Sequence, residues 1–412
     1  MSHPVERPVR GHRLARMIGR DPHQEHRVAT PLELLFDLVF VVAFSQAGSQ
    51  MAHLLAEGRT AAALAGFGFA TFAICWAWIN YSWLASAYDN DDLFFRAATL
   101  IVMVGALILA LGLPEAFRSI DEGQHLDNRV VVAGYIVMRV ASLALWLRAA
   151  AHDEYRRRTC LTYAAAIGIA QAGWVVVLVI NPPLDALWLP YLVLVAIELA
   201  GPMTAERQGR PTPWHPHHIA ERYGLLVIIT LGEVVLGTIT AISAVVQTQG
   251  WSTEAVLVAC AGTVLAFGLW WVYFTLPFAE LLERYRDRAF RWGYLHIVIF
   301  GALAATGSGL HVAAYVIERE AHVDTTTAVL ATVIPVLVYL VVLYLIYTLL
   351  LAKVDGYQAV LFAGAIVALV LAVVVSTVGA TLGVSLLVTA VCPIVIITGY
   401  EVRARRIAAS QG

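Results

Sequence analysis

Glu33 and Asp37 stand one helical turn apart in Thr30-Pro31-Leu32-Glu33-Leu34-Leu35-Phe36-Asp37-Leu38-Val39-Phe40, the opening of an apolar run long enough to cross a bilayer. A charged side chain at membrane depth costs about 2.5–3.5 kcal/mol on insertion scales, so acids kept there need a partner or a task. Residues four apart share one helix face, and two acids so placed repel unless a cation, a proton or an arginine lies between them. One reading is a cation or proton site facing the interior of a helix bundle. The other has Glu33 capping its helix behind Thr30-Pro31, where the helix dipole favours an anion. Asp37 lies deeper and reads as functional.

A second acid of this kind is Glu233, about three turns into a later apolar run, where the preceding Gly232 allows close helix approach. Arg139 sits mid-run and needs a carboxylate: Asp37, Glu198 or Glu233 could supply it, and a purely structural ion pair is the competing reading. Glu198 lies between Pro190 and Pro202, which free backbone carbonyls to face a polar path. Glu221-Arg222 reads as interfacial. Trp214-His215-Pro216-His217-His218 lacks a completing acid or cysteine at ligand spacing, so it reads as an exposed loop and no metal is expected. His296 and His311 share a run and suit either proton relay or core packing. Trp76, Trp78, Trp83, Trp270 and Trp271 read as an interfacial belt. The four cysteines stand singly and fit neither a disulfide framework nor a zinc site.

The elements that position these residues follow from composition. Of 412 residues, 60% are hydrophobic and 14% charged, with mean hydropathy +0.74; soluble domains carry about 25% charged residues. The expected fold is an all-α, polytopic membrane protein of about twelve spans. They are placed at about 31–55, 61–86, 96–114, 129–150, 159–180, 185–203, 221–246, 254–278, 290–316, 327–352, 357–378 and 381–400. Twelve spans put both termini on one side. With that side inside, 22 of the 27 Lys and Arg fall in inside loops and tails; Arg59, Arg118, Arg129 and Arg319 lie outside and Arg139 within a span. This is the positive-inside pattern, giving a bacterial inner-membrane protein with both termini cytoplasmic. The basic start lacks a secretory cleavage pattern.

Matching stretches recur at an offset of about 192–196 residues: Phe36-Asp37 with Gly232-Glu233 at similar depth, Trp76-Ala77-Trp78 with Trp270-Trp271, Gly105-Ala106-Leu107 with Gly301-Ala302-Leu303. They predict two six-helix parallel repeats. The chain then divides into a basic tail (1–29), a first half (30–205), a linker (206–220), a second half (221–402) and a basic C-terminal tail (403–412). The last three spans, nearly free of ionisable residues, read as lipid-facing scaffold.

Two blocks carry a family resemblance. Thr30 to Phe40 resembles the first-helix signature of the bacterial low temperature requirement A family, and Glu221-Arg222-Tyr223-Gly224-Leu225-Leu226-Val227-Ile228-Ile229-Thr230-Leu231-Gly232-Glu233 resembles its second block. The resemblance covers essentially the whole chain and implies a multi-pass bacterial membrane protein; it brings no catalytic residues. Leu35 to Ala43 is also similar to the Phe-Ser-Asp first-helix motif of potassium channels built from six-helix repeats, although Phe36 replaces the serine.

The expected function is transport of a cation or proton-coupled solute along a path between the halves. Asp37 and Glu233 would be the paired polar sites, Glu33 a further acid, and Arg139 and Glu198 the charge partners. A membrane enzyme acting on lipid through the same acids, or a non-transporting sensor or scaffold, are the alternatives. Expected partners are membrane lipid and a small ion or solute; no enzyme activity, cofactor or nucleic acid is expected, and the oligomeric state is open.

Overall fold

The computed structural model describes residues 14–24, 27–353 and 355–411. The first half runs α1 (Pro31–Ala56), α2 (Thr60–Tyr88), α3 (Leu93–Glu122), α4 (Arg129–His152), α5 (Arg157–Ile180) and α6 (Leu184–Gln208). The second runs α7 (Pro216–Gln249), α8 (Thr253–Phe274), a short α9 (Phe278–Arg284), α10 (Ala289–Glu318), α11 (Thr325–Leu351), α12 (Gly356–Thr377) and α13 (Leu382–Gln411). Among the described residues there are no strands, and twelve helices are long and apolar enough to cross a membrane.

Local sequence sets the helix ends. Thr30 caps α1 in a capping box with Glu33, and Pro31 occupies the first turn, where its missing N–H costs nothing. Asp92, Ser252 and Asp324 cap α3, α8 and α11 through their side chains. At the other end of α3, Gly123 takes φ 77°, a left-handed turn suited to glycine.

α2 and α10 are the most buried spans, while α5, α6 and α12 present most of their surface outward. α11, by contrast with the expected scaffold role, packs along α10 and is about half buried. Tight crossings place the central helices: a Cβ on Gly307 of α10 would lie 2.4 Å from the Glu233 carbonyl oxygen of α7. α3 and α4 meet as closely at Gly105 and Gly134. The matching Gly301 instead faces Thr71 of α2, so the two aligned glycines serve different contacts.

The Arg-rich end of the bundle is covered. Residues 14–24 and 27–30 lie across it, with the Met17 amide donating to His152 Nδ1 (3.0 Å), the Ala15 amide to Asp92 Oδ2 (2.9 Å) and the Arg20 amide to the Ala87 carbonyl (2.9 Å). The linker is shorter than expected, residues 209–215, and is not an exposed loop: Thr212, Trp214 and His215 are buried.

Candidate functional site

The intramembrane charges separate into three places. The first lies between α1 and α7. Arg222 Nη1 stands 2.7 Å from Glu33 Oε1 and Nη2 2.6 Å from Asp37 Oδ1. All three side chains are inaccessible, so the expectation of an interfacial Arg222 is corrected: it starts two turns into a helix whose first turn is itself covered. Trp78 of α2 donates Nε1–H to Asp37 Oδ1 (2.7 Å). Glu33 keeps its capping role, accepting from the Thr30 amide (2.8 Å), and also faces His218 Nε2 at 3.2 Å. The guanidinium lies over the Phe36 and Trp78 rings at 5.9 and 5.6 Å. One cation thus holds apart, and together, the two acids that share a helix face.

Groups at the covered end tune this cluster. Buried Arg27 donates Nη2–H to the Ala85 carbonyl (2.9 Å); burial, with Arg20 adding to it, pushes its pKa down to about 10, which leaves it a cation at neutral pH. Asp89 is pushed up to about 6, first by burial and then by Glu33. Burial also lowers His215 below the usual histidine range, and its ring caps α7: Nδ1 accepts from the His218 amide (3.3 Å) while Nε2 meets the Gln24 carbonyl (2.9 Å). His217 turns instead to exposed Glu283 (3.2 Å). The three imidazoles therefore diverge to three partners, and among the described residues no group of three His, Cys, Asp or Glu is placed to hold a metal.

The second place lies between α4 and α6. Of the three acids open to Arg139, the fold selects Glu198: Arg139 Nη2 donates to Glu198 Oε2, and both side chains are 2% exposed. Trp76 Nε1 donates to the same oxygen (2.7 Å) and the Tyr135 hydroxyl to Oε1 (3.4 Å). Trp76 and Trp78, expected in an interfacial belt, are instead wholly buried hydrogen-bond donors to two different acids. The indole suits both settings, since it joins a large apolar body to one donor. Trp270 and Trp271, about a third exposed, keep the surface position.

The third place is Glu233 alone. It lies eleven residues beyond Arg222, about 16 Å along α7, so it does not share the depth of Asp37. Among the described residues no ion pair reaches it; Ser45 of α1 is its polar neighbour. One turn on, His311 of α10 approaches Gly237, its Cδ2 3.1 Å from where a Cβ would stand. His296, by contrast, is fixed in a core: its Nδ1 meets the Trp292 carbonyl (2.7 Å) and its Nε2 the Tyr273 hydroxyl (3.0 Å).

The family model described as bacterial low temperature requirement A protein matches residues 28–393 of the chain. An uncharacterized protein of Rhizobium meliloti (strain 1021) is 26% identical over 293 residues, covering 67% of each chain. No solved structure matches.

Proposed function

We propose a transport function for this chain, which belongs to the bacterial low temperature requirement A family: movement of a solute coupled to a proton carried by Glu233. The observation that carries the reading is the isolation of that acid. Glu33 and Asp37 are held by Arg222, and Glu198 by Arg139, whereas Glu233 is buried beside Ser45 with no cation among the described residues to balance it. A carboxyl in such surroundings is neutral when protonated and costly when not, the property a membrane proton carrier needs. His311, one turn away on the facing helix, offers a second titratable group on the same line. The Arg-rich end is read as cytoplasmic, which puts both termini inside the cell membrane, and the two sets of six helices as a parallel repeat with α1 and α7 as counterparts.

The test is proton movement in liposomes carrying the purified full chain, followed with a trapped pH-sensitive dye under imposed pH and ion gradients. Flux above protein-free liposomes, reduced at least about tenfold by Glu233→Gln in a variant that remains folded, is expected. Folded protein with no flux under any gradient, or full flux from Glu233→Gln, overturns the reading.

A further inference from the structure

Arg139 leaves two donors unused. Among the described residues its Nε and Nη1 have no hydrogen-bond partner although the side chain is 2% exposed, while Glu198 opposite it accepts from Arg139, Trp76 and Tyr135. On α5, Trp174, which lines a crevice with Tyr135, has an indole nitrogen without a partner among the described residues, as have both amide atoms of Gln171 one turn away. Buried donors without acceptors are costly, more so when charged; Arg222 shares the unpaired Nε and Nη1, but it faces two carboxylates where Arg139 faces one, which leaves Arg139 able to take a second.

Arg139 itself lines no crevice among those described, but its neighbours do: Tyr135 and Trp174 on one side and Trp76 on the other. Toward the far end of the bundle lies a crevice of about 30 Å³ walled by Phe69, Phe72, Tyr135, Trp174 and Tyr191. Its rings and the polar groups form successive layers of the same helix faces: Phe72 and Trp76 on α2 and Tyr135 and Arg139 on α4 are four apart, Tyr191 and Glu198 on α6 seven apart. Toward the Arg-rich end, Trp76 lines a second crevice of about 20 Å³ with Asn80, Trp83, Tyr163, Phe290 and Tyr294. Phe290 and Tyr294 in turn line a vestibule of about 890 Å³, whose mouth carries Arg156, Arg207, Arg286 and Arg291 against Glu206 and Asp287.

We propose that Arg139 is the docking point for the carboxylate of a small organic acid with an apolar body, at the midpoint of a route from the far crevice to the basic vestibule. The unused guanidinium edge receives the carboxylate oxygens, the pairing for which arginine geometry is suited. The far crevice has room for about two water molecules, so only the near end of the apolar body enters it, against its rings. The Arg139–Glu198 pair is itself neutral, so the entering acid carries one negative charge into a medium of low dielectric. Uptake of the acid together with a proton onto ionised Glu233 adds no net charge; in this respect the proposal rests on the proton-coupled reading above.

Binding is measured by titration calorimetry on the purified full chain in detergent, with 3-phenylpropionate, 3-phenylpropionamide and 3-phenylpropylamine as probes. The carboxylate is expected to bind about 10- to 100-fold more tightly than the amide, the range for a hydrogen bond to a charged group, and the amine not to bind. Arg139→Gln alone strands Glu198 and risks unfolding, so the variant used is Arg139→Gln with Glu198→Gln, which removes both charges together; it should abolish the preference for carboxylate over amide. Trp174→Phe, which keeps a ring and removes one donor, should weaken the carboxylate severalfold. Equal affinity for carboxylate and amide, or an undiminished preference in the double variant, overturns the site and makes Arg139–Glu198 a structural pair. Proton flux without carboxylate preference would sink this site and leave the transport reading standing; carboxylate preference without any flux would do the reverse.

Discussion

Two buried ion pairs flank α2, and each takes a hydrogen bond from one of its tryptophans, yet they are built to opposite ends. At the α1–α7 contact one guanidinium meets two carboxylates, and the cavity of about 850 Å³ at the covered end is lined by their neighbours Arg27, His215 and Glu221, not by the three themselves. At the α4–α6 contact one guanidinium meets one carboxylate, and Trp76 and Tyr135, which hydrogen-bond that carboxylate, line crevices on its two sides; among the described residues Nε and Nη1 lack hydrogen-bond partners at both arginines. Charge count and adjoining space, more than burial, separate them. The first is a strut that ties the two halves of the chain across 185 residues of sequence. The second has the makings of a site.

The sharpest way to break this comparison is to remove the strut's cation. Arg222→Gln leaves Glu33 and Asp37 buried together without a counter-charge and should cost at least about 3–5 kcal/mol, read as a fall in the thermal unfolding midpoint of the detergent-solubilised chain. A variant that unfolds where the wild type does would dissolve the distinction. Next in size is Glu198→Gln, which strands Arg139 and should cost about 3–5 kcal/mol, less where crevice water can reach the guanidinium. Adding Arg139→Gln should restore most of that loss, and the restored stability is the measurement that separates pair from strut.

Smaller again is the contrast of the two indoles. Trp78→Phe removes a donor to Asp37 and should cost about 1.5–3 kcal/mol. Trp76→Phe should cost less, because Glu198 keeps Arg139 and Tyr135 and a crevice lies beside it. Equal losses at the two positions would show that the crevice makes no difference. The smallest effect concerns pH. Asp89, next to the strut, is raised to about 6, so the native chain holds its proton more tightly than the unfolded chain, whose aspartates titrate near 3.9. The stability this provides is present below about pH 4 and is lost as pH rises through about 6. Asp89→Asn should flatten that part of the stability profile, followed as unfolding midpoint against pH.

The same contrast shows where sequence reasoning failed. Arg222 was legible as a charge but not as a buried one, since it stands close to a helix start and only the N-terminal segment and the linker laid over that end remove it from water. Trp76 and Trp78 were misplaced because an indole fits an interface and a buried acid equally well. The histidine run looked like an exposed loop because its burial comes from Gln24, Glu33 and Ser86, each far away in sequence. Glu33 was the instructive middle case, as both of its readings hold: it caps α1 and it pairs with Arg222.

What the sequence by itself determined was the all-helical, twelve-span membrane fold, the family, and which acids and which arginine had to be accounted for inside it. Those follow from one-dimensional quantities: apolar run length against bilayer thickness, local capping chemistry, and the cost of charge in hydrocarbon. What only the tertiary structure decided was the pairing: Glu198 rather than Asp37 or Glu233 for Arg139, Arg222 for Asp37, and, among the described residues, no ion pair for Glu233. Coulomb attraction and hydrogen bonding act over a few ångströms in space, and Arg222 and Asp37, which come that close here, stand 185 positions apart in the chain.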